Sequence, residues 1–484
     1  MVIDVAESRT AHRTGWHLEV GMVRNDRRLS LSGRPRRRRA PVALQVLLAA
    51  LALTAFLTGT KLLPTKHNVG LFEVITGLML VYFTAYALTR GLKPRFHVVS
   101  VLALVLLLVA TTTILNVPAP LFQQAILDLA VLTFLVLLLL VLHNIGLAFL
   151  GEFPTFLRAV SWAGVVVGAW VVFDSARAGW SVTAFGPFRN RAHMGIYLLT
   201  VFWIILLAVA WPGQARVQRV ALALSLPLVL YGIAASGRRS VYLSLFIGLA
   251  ALATILWAAG RRRRAVVASV LVVSALFLVG LLVIGKDVPE QTGFFRTRVV
   301  EVVPRLRAAL SPEVEGGEAA DMFFFQQRTG ALQAFLDNPL MGIGFGGFAG
   351  SGYPGSLFEV HSTPLRFLAE TGLVGITAYA TFMAALLFGA ARLARKAWHT
   401  PFRSVALVLT VAWWSLAISY GYNRHITERT FWLLLAIFLV FDAYLARWIQ
   451  ATNYVLASRR LGVSSAAAGG GLRGNGRAAA KRQA

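Results

Sequence analysis

FQQRTGALQAFLDNPLMGIGFGGFAGSGYPGSLFEVHSTPLRFLAETGLVG, Phe325 to Gly375, decides how the chain is read. It opens in helical spacing, stops at Asn338-Pro339, runs through glycines at 342, 344, 346, 347, 350, 352 and 355, and reaches His361 just before a new apolar helix. A residue preceding proline is pushed out of the helical region, so Asn338-Pro339 closes the first helix, expected over 321–337. Phe325, Arg328, Leu332 and Phe335 share one face of that helix, so Arg328 is expected to point the way the apolar side chains point. The glycines let backbone pass close to a ligand or to neighbouring helices, or form plain turns. Polar chemistry is concentrated here, and the surroundings are apolar runs with short connections.

Those surroundings set the fold class. Of 484 residues 57% are hydrophobic and 14% charged, with mean hydropathy +0.69, against about 25% charged in soluble domains. A bilayer core about 30 Å thick needs roughly 20 apolar residues per helical crossing. Runs of that order lie at 40–60, 69–89, 97–115, 121–142, 156–173, 192–211, 217–235, 240–259, 265–284, 373–393, 404–420 and 430–447. The chain therefore reads as an all-α polytopic integral membrane protein with about 12 transmembrane helices and a large loop, carrying helices of its own, between spans 9 and 10. Its expected divisions are a disordered basic tail at 1–39, spans 1–9 at 40–284, the loop and catalytic segment at 285–372, spans 10–12 at 373–450, and a second disordered tail at 451–484.

The formal net charge of +27 does not indicate a nucleic-acid partner, because the basic residues sit in short clusters between apolar runs, as topology signals do. The absence of cysteine excludes disulfides, zinc-thiolate sites and thiol nucleophiles. With the tail ending in Arg34–Arg39 taken as cytoplasmic, inside connections carry Arg90, Lys93 and Arg95, then Arg158, Arg216 and Arg219, Arg261–Arg264, and Arg392, Arg395, Lys396 and Arg403. Both termini are then cytoplasmic. Outside connections break the bias at Arg177, Arg189 and Arg191, at Arg238 and Arg239, and at Arg424 and Arg429. Within the long outside loop, 293–310 reads as an amphipathic interfacial piece and Ser311-Pro312-Glu313 as a helix start.

Arginines that oppose the topology bias need another reason to exist. Guanidinium forks match phosphate oxygens bidentately and stay charged, so a cluster facing one cavity suits a phosphate or pyrophosphate. A large membrane-embedded substrate with such a head is a polyprenyl-linked sugar. Pyrophosphate leaves without a general acid once its charge is neutralised, and an acceptor hydroxyl then needs a base near neutral pKa, the usual role of histidine. No cluster with metal-ligand spacing stands out, so no metal and no cofactor are expected.

The segment Arg328…Asn338-Pro339-Leu340-Met341-Gly342-Ile343-Gly344…His361…Glu370-Thr371-Gly372…Gly375 resembles the signature region of the O-antigen ligase and O-antigen polymerase superfamily. Gly186-Pro187-Phe188-Arg189-Asn190 and Ala235-Ser236-Gly237-Arg238-Arg239-Ser240 look like that family's outside motifs, so the resemblance spans roughly 185–375. It implies a metal-independent, inverting glycosyltransferase of the bacterial inner membrane, with its active site on the periplasmic face. The implied donor is a glycan on undecaprenyl pyrophosphate; the acceptor is lipid A-core, or a second lipid-linked glycan if the chain is a polymerase. By similarity His361 is the base, Arg238 or Arg239 with Arg328 holds the pyrophosphate, and Arg189 and Arg191 are further candidates. The family often has Asn where this chain has Ser362, and a second Asn where it has Arg191.

Blander readings stand beside these. His361 could be an interfacial polar residue, Arg328 a snorkelling side chain, and Arg238 and Arg239 anchors for membrane lipids. Glu370 could orient a partner of the site, or cap and pack a helix. A flippase for lipid-linked sugars would use the same arginines but predicts paired repeats and broken helices at mid-membrane; no persuasive repeat is visible, and a scaffold leaves the arginines unexplained.

Overall fold

The computed structural model describes residues 40–54, 71–177, 188, 191–236, 238–258, 318–357, 359–422 and 428–460. The 1–39 tail, the apolar run at 265–284, the amphipathic piece at 293–310, the helix start at 311–313 and the residues from 461 onward lie outside them. The described fold belongs to the compact unit Arg39–Ala451; a second unit, Met1–Arg38 with Thr452–Ala484, contributes only the last turns of the final helix.

The described residues hold twelve α-helices and no strand. They are α1 Val42–Thr54, α2 Leu71–Thr89, α3 Val98–Thr113, α4 Phe122–Ala148, α5 Phe153–Arg177, α6 Arg191–Ala210, α7 Arg216–Ser236, α8 Arg239–Ala258, α9 Glu318–Asp337, α10 Thr363–Lys396, α11 Arg403–Tyr422 and α12 Arg429–Arg460. Nine are long and apolar enough to cross a membrane, and α1 and α8 are shorter apolar helices. The chain is a polytopic membrane protein. Helix α9 is not among the membrane-spanning set, as expected for a helix of the loop.

Two helices form the centre. A helix apolar all round is buried all round, and α6 meets that condition, with Tyr197, Phe202 and Trp203 among its buried side chains. In α12 every residue from Phe431 to Phe441 is buried. Small residues let neighbours approach these helices closely: a Cβ on Gly164 of α5 would lie 2.5 Å from Val201 of α6, and one on Gly146 of α4 would lie 2.2 Å from Val440 of α12. Between helices, Ser415 donates to the Ser244 carbonyl at 2.6 Å. Trp211, Phe402, Phe441 and Tyr444 pack edge to face at the C-terminal end of α6. The polar site lies at its N-terminal end.

Helix α10 is two helices joined at a break. Gly372 adopts φ 61°, ψ −155°, a backbone state open essentially to glycine alone. The sequence places the tenth span at 373–393; the helix itself begins ten residues earlier at Thr363 and resumes after this break. A broken helix frees carbonyls before the break and N–H groups after it, and buried backbone groups require partners. The 338–350 loop supplies them. Ile343 N–H donates to the Ala369 carbonyl at 3.1 Å and Gly344 N–H to that of Glu370 at 2.8 Å, while Leu373 and Val374 donate to Pro339 and Leu340 at 2.8 and 3.2 Å. The loop is thereby stitched into the helix.

Candidate functional site

The stitched loop explains where its glycines are spent. A Cβ on Gly342 would sit 2.4 Å from the Glu370 carbonyl carbon, one on Gly344 would meet Val117 at 2.3 Å, and one on Gly346 would sit 2.8 Å from the Ala125 Cα. Of the readings open in the sequence, close approach to neighbouring helices is the one these positions realise: the loop passes between the α10 break and the turn joining α3 to α4. Asn116 in that turn donates to the Gly342 carbonyl at 3.4 Å.

Helix α9 rests on the same loop through its small residues. Ala331 and Ala334 are buried with Ile343, Phe348, Val360 and Ala369, and a Cβ on Gly330 would collide with the Pro354 carbonyl at 2.0 Å. The buried polar residue of this face is Gln327. Phe325 and Leu332 are exposed, and Arg328 is exposed with them. Arg328 does share its face with apolar side chains, but that face is the outward one, and the packed face is a turn of small residues around Gln327.

Gln327 builds the seat of His361. Its Oε1 accepts from the His361 backbone N–H at 3.1 Å, and its Nε2 donates to the Glu359 carbonyl at 2.7 Å. The same Glu359 carbonyl lies 3.1 Å from His361 Nδ1. A carbonyl can only accept, so in this contact Nδ1 carries the proton and the neutral ring keeps its lone pair on Nε2. Burial, then the nearby charge of Arg238, then His193, hold the His361 pKa below its ordinary value. The imidazole is therefore neutral at neutral pH and competent as a base.

Ends of α6, α7, α8 and α11 lie around this residue. Ser362 donates to the Gly421 carbonyl near the end of α11 at 2.8 Å. Arg238 is half-buried at the corner between α7 and α8, where the Tyr242 hydroxyl donates to the Ala234 carbonyl and closes the corner; burial lowers the Arg238 pKa, though a guanidinium remains charged. His193, in the first turn of α6, has Nδ1 2.7 Å from Glu428 Oε1 just before α12. Beside it Arg429 pairs with Glu73 of α2 and lies over the Phe72 ring at 4.9 Å.

Beneath His361 lies a cation that the sequence reasoning passed over. The Arg366 side chain is fully buried. Its Nε is 2.9 Å from Glu370 Oε2, its Nη1 is 3.2 Å from Glu359 Oε2, its Nη2 meets Asp128 of α4, and its Cζ lies 4.9 Å from the Phe345 ring centroid. Glu370 Oε2 also accepts from Gly346 N–H at 2.8 Å. Removing one partner of a buried ion pair typically costs about 3–5 kcal/mol, because the other charge is left uncompensated. Two signals could have found this group: Asp128 is an acid inside an apolar run, and Arg366 and Glu370 are spaced i, i+4 at a helix start.

Of the residues expected at the site, the structure brings Arg238 close to His361 and places Glu370 in the buried ion-pair cluster, while Arg328 lies exposed on α9. Arg189 lies outside the described residues, as do the side chains of Arg191 and Arg239, whose backbones begin α6 and α8. Among the described residues no group of three or more His, Asp or Glu side chains is arranged to hold a metal ion.

No curated protein matches the chain. Residues 220–380, about a third of the sequence, match the family model described as O-antigen ligase. The matched segment contains Arg238, the α9 seat, the stitched loop, Glu359, His361, Arg366 and Glu370, while Asp128 lies outside it; over this third of its length the chain is similar to the O-antigen ligase family.

Proposed function

We propose that the protein is a membrane glycosyltransferase that moves a glycan from a polyprenyl pyrophosphate, undecaprenyl pyrophosphate in a bacterium, to an acceptor hydroxyl. His361 Nε2 takes the hydroxyl proton as the acceptor oxygen attacks the anomeric carbon. The bond from that carbon to the pyrophosphate oxygen breaks on the opposite face, so the configuration inverts. The leaving pyrophosphate keeps the electron pair, and Arg238, with Arg328 or Arg239, neutralises its charge. No metal is required for this balance. Arg189 and Arg191 extend the same basic surface, and Glu370 supports the site from below.

The observation that carries this reading is the Glu359 carbonyl facing His361 Nδ1, which leaves Nε2 as the basic nitrogen beside an arginine. The charge pattern of the connections further supports an inner-membrane protein with both termini cytoplasmic and the His361 end periplasmic. Lipid A-core is the preferred acceptor; a second lipid-linked glycan would make the enzyme a polymerase with the same base.

The test is transfer by purified protein from a defined lipid-pyrophosphate glycan, with lipid A-core or with excess donor alone, and with His361→Ala beside wild type. A positioned base contributes about 10²–10⁴-fold, so His361→Ala is expected to lose kcat on that scale with little change in donor KM. Full activity in the variant would overturn the base assignment, and longer glycans from donor alone would make the enzyme a polymerase.

A further inference from the structure

We infer that Arg366 is a positioning residue for the base: it holds the Glu359 carboxylate, and the Glu359 carbonyl in turn fixes the orientation and tautomer of His361. The inference rests on the proposed role of His361 and adds residues that act through it.

Glu359 is clamped at both of its ends. Its carboxylate is held at 3.2 Å by Arg366 Nη1. Its carbonyl receives Gln327 Nε2 at 2.7 Å and faces His361 Nδ1 at 3.1 Å. A backbone carbonyl directs a ring N–H only as well as its own peptide plane is held, and at a loop residue nothing regular holds it. The Arg366 contact supplies what a helix or strand would otherwise supply.

Arg366 is itself held on every side of its guanidinium. A guanidinium presents donors in a rigid plane, and here Nε, Nη1 and Nη2 each meet a different carboxylate while the Phe345 ring lies near its face. The three acids come from separate parts of the chain: Asp128 from α4, Glu359 from the loop before α10, and Glu370 from the turn before the Gly372 break. Lysine has one nitrogen on a flexible stem and cannot satisfy three acids in one plane. The chain thus braces one loop carbonyl against two membrane helices, and the group leaning on that carbonyl is the imidazole.

The experiment uses the full-length protein in lipid nanodiscs with ¹⁵N-labelled histidine, the His361 signals being identified by their loss in His361→Ala. In wild type the ring is expected as the Nδ1-protonated tautomer. Glu359→Ala removes the tethered carboxylate and is expected to mix the tautomers and lower kcat at least about tenfold within the 10²–10⁴ range of a base, with donor KM unchanged. Glu359→Gln, which still accepts from Arg366, is expected to restore both readouts most of the way. Arg366→Lys should resemble Glu359→Ala; if it fails to fold, the Glu359 pair still decides the matter. An unchanged tautomer and kcat in Glu359→Ala would overturn the inference, as would equal damage in the Ala and Gln variants or a rise in donor KM. The tautomer is read without substrate, so a wild type that transfers no glycan would overturn the proposed function while leaving this measurement to stand.

Discussion

Gly372→Ala tests whether the break in α10 and the loop stitched into it are one structure. At φ 61°, ψ −155° a residue with a Cβ costs about 1–3 kcal/mol in backbone strain. The added Cβ would also lie 2.5 Å from both the carbonyl carbon and oxygen of Leu340, backbone atoms that cannot swing aside as a flexible side chain can. Relief requires the loop to move, which puts at risk the bonds from Leu373 to Pro339 and from Val374 to Leu340, each worth about 1 kcal/mol net. The total is about 4 kcal/mol. The assay is the thermal unfolding midpoint of detergent-solubilised protein followed by tryptophan fluorescence, with glycan transfer measured alongside. Gly77→Ala in α2 is the control, since nothing lies within 4 Å of its Cβ position and alanine suits a helix better than glycine. Gly372→Ala is expected to lower the midpoint and the transfer rate clearly while Gly77→Ala changes neither. Indistinguishable behaviour of the two variants would refute the stitched-break account.

Two further outcomes follow from the geometry around His361. In the proposed reaction His361 must be neutral to act, so the rate falls as pH falls through its pKa; because that pKa is held below the ordinary value of 6.5, the acid limb of kcat/KM should lie below 6.5. Arg238→Gln removes a positive neighbour, raises the His361 pKa and should move that limb to higher pH while raising donor KM, and an unmoved limb would separate Arg238 from the base. Chelation is expected to leave transfer unchanged, since guanidinium groups carry the leaving-group charge in the proposed reaction; activity lost to EDTA and restored by a divalent cation would oppose it.

The sequence revealed the spans because crossing a bilayer demands long apolar runs, and it revealed the end of α9 because Asn338-Pro339 cannot continue a helix. It did not reveal which face of α9 packs. In a soluble protein the apolar stripe points inward, but beside a membrane an apolar side chain also serves outward, and the packed face here is Gln327, Gly330, Ala331 and Ala334. His361 and Glu370 were legible through motif order. Glu359 was not, because what it offers is a backbone carbonyl that no residue type announces, and Arg366 showed only its i, i+4 spacing to Glu370, its contact with Asp128 spanning more than 200 residues. The glycines were visible as glycines; that they yield space to the Glu370, Val117 and Ala125 neighbourhoods rather than to a ligand required coordinates.

The seam between the 338–350 loop and the α10 break also bears on how the protein is made. Its two sides are neighbours in the chain, so they can close as soon as α10 leaves the ribosome, and an unclosed break would leave bare peptide groups at the edge of the lipid. The further anchors, Asp128 and the Asn116 turn, lie more than 200 residues earlier in the chain and are synthesised first. Insertion of α10 is thus the step at which an early and a late portion of the chain lock together, and the seat of His361 becomes complete only when that docking is done.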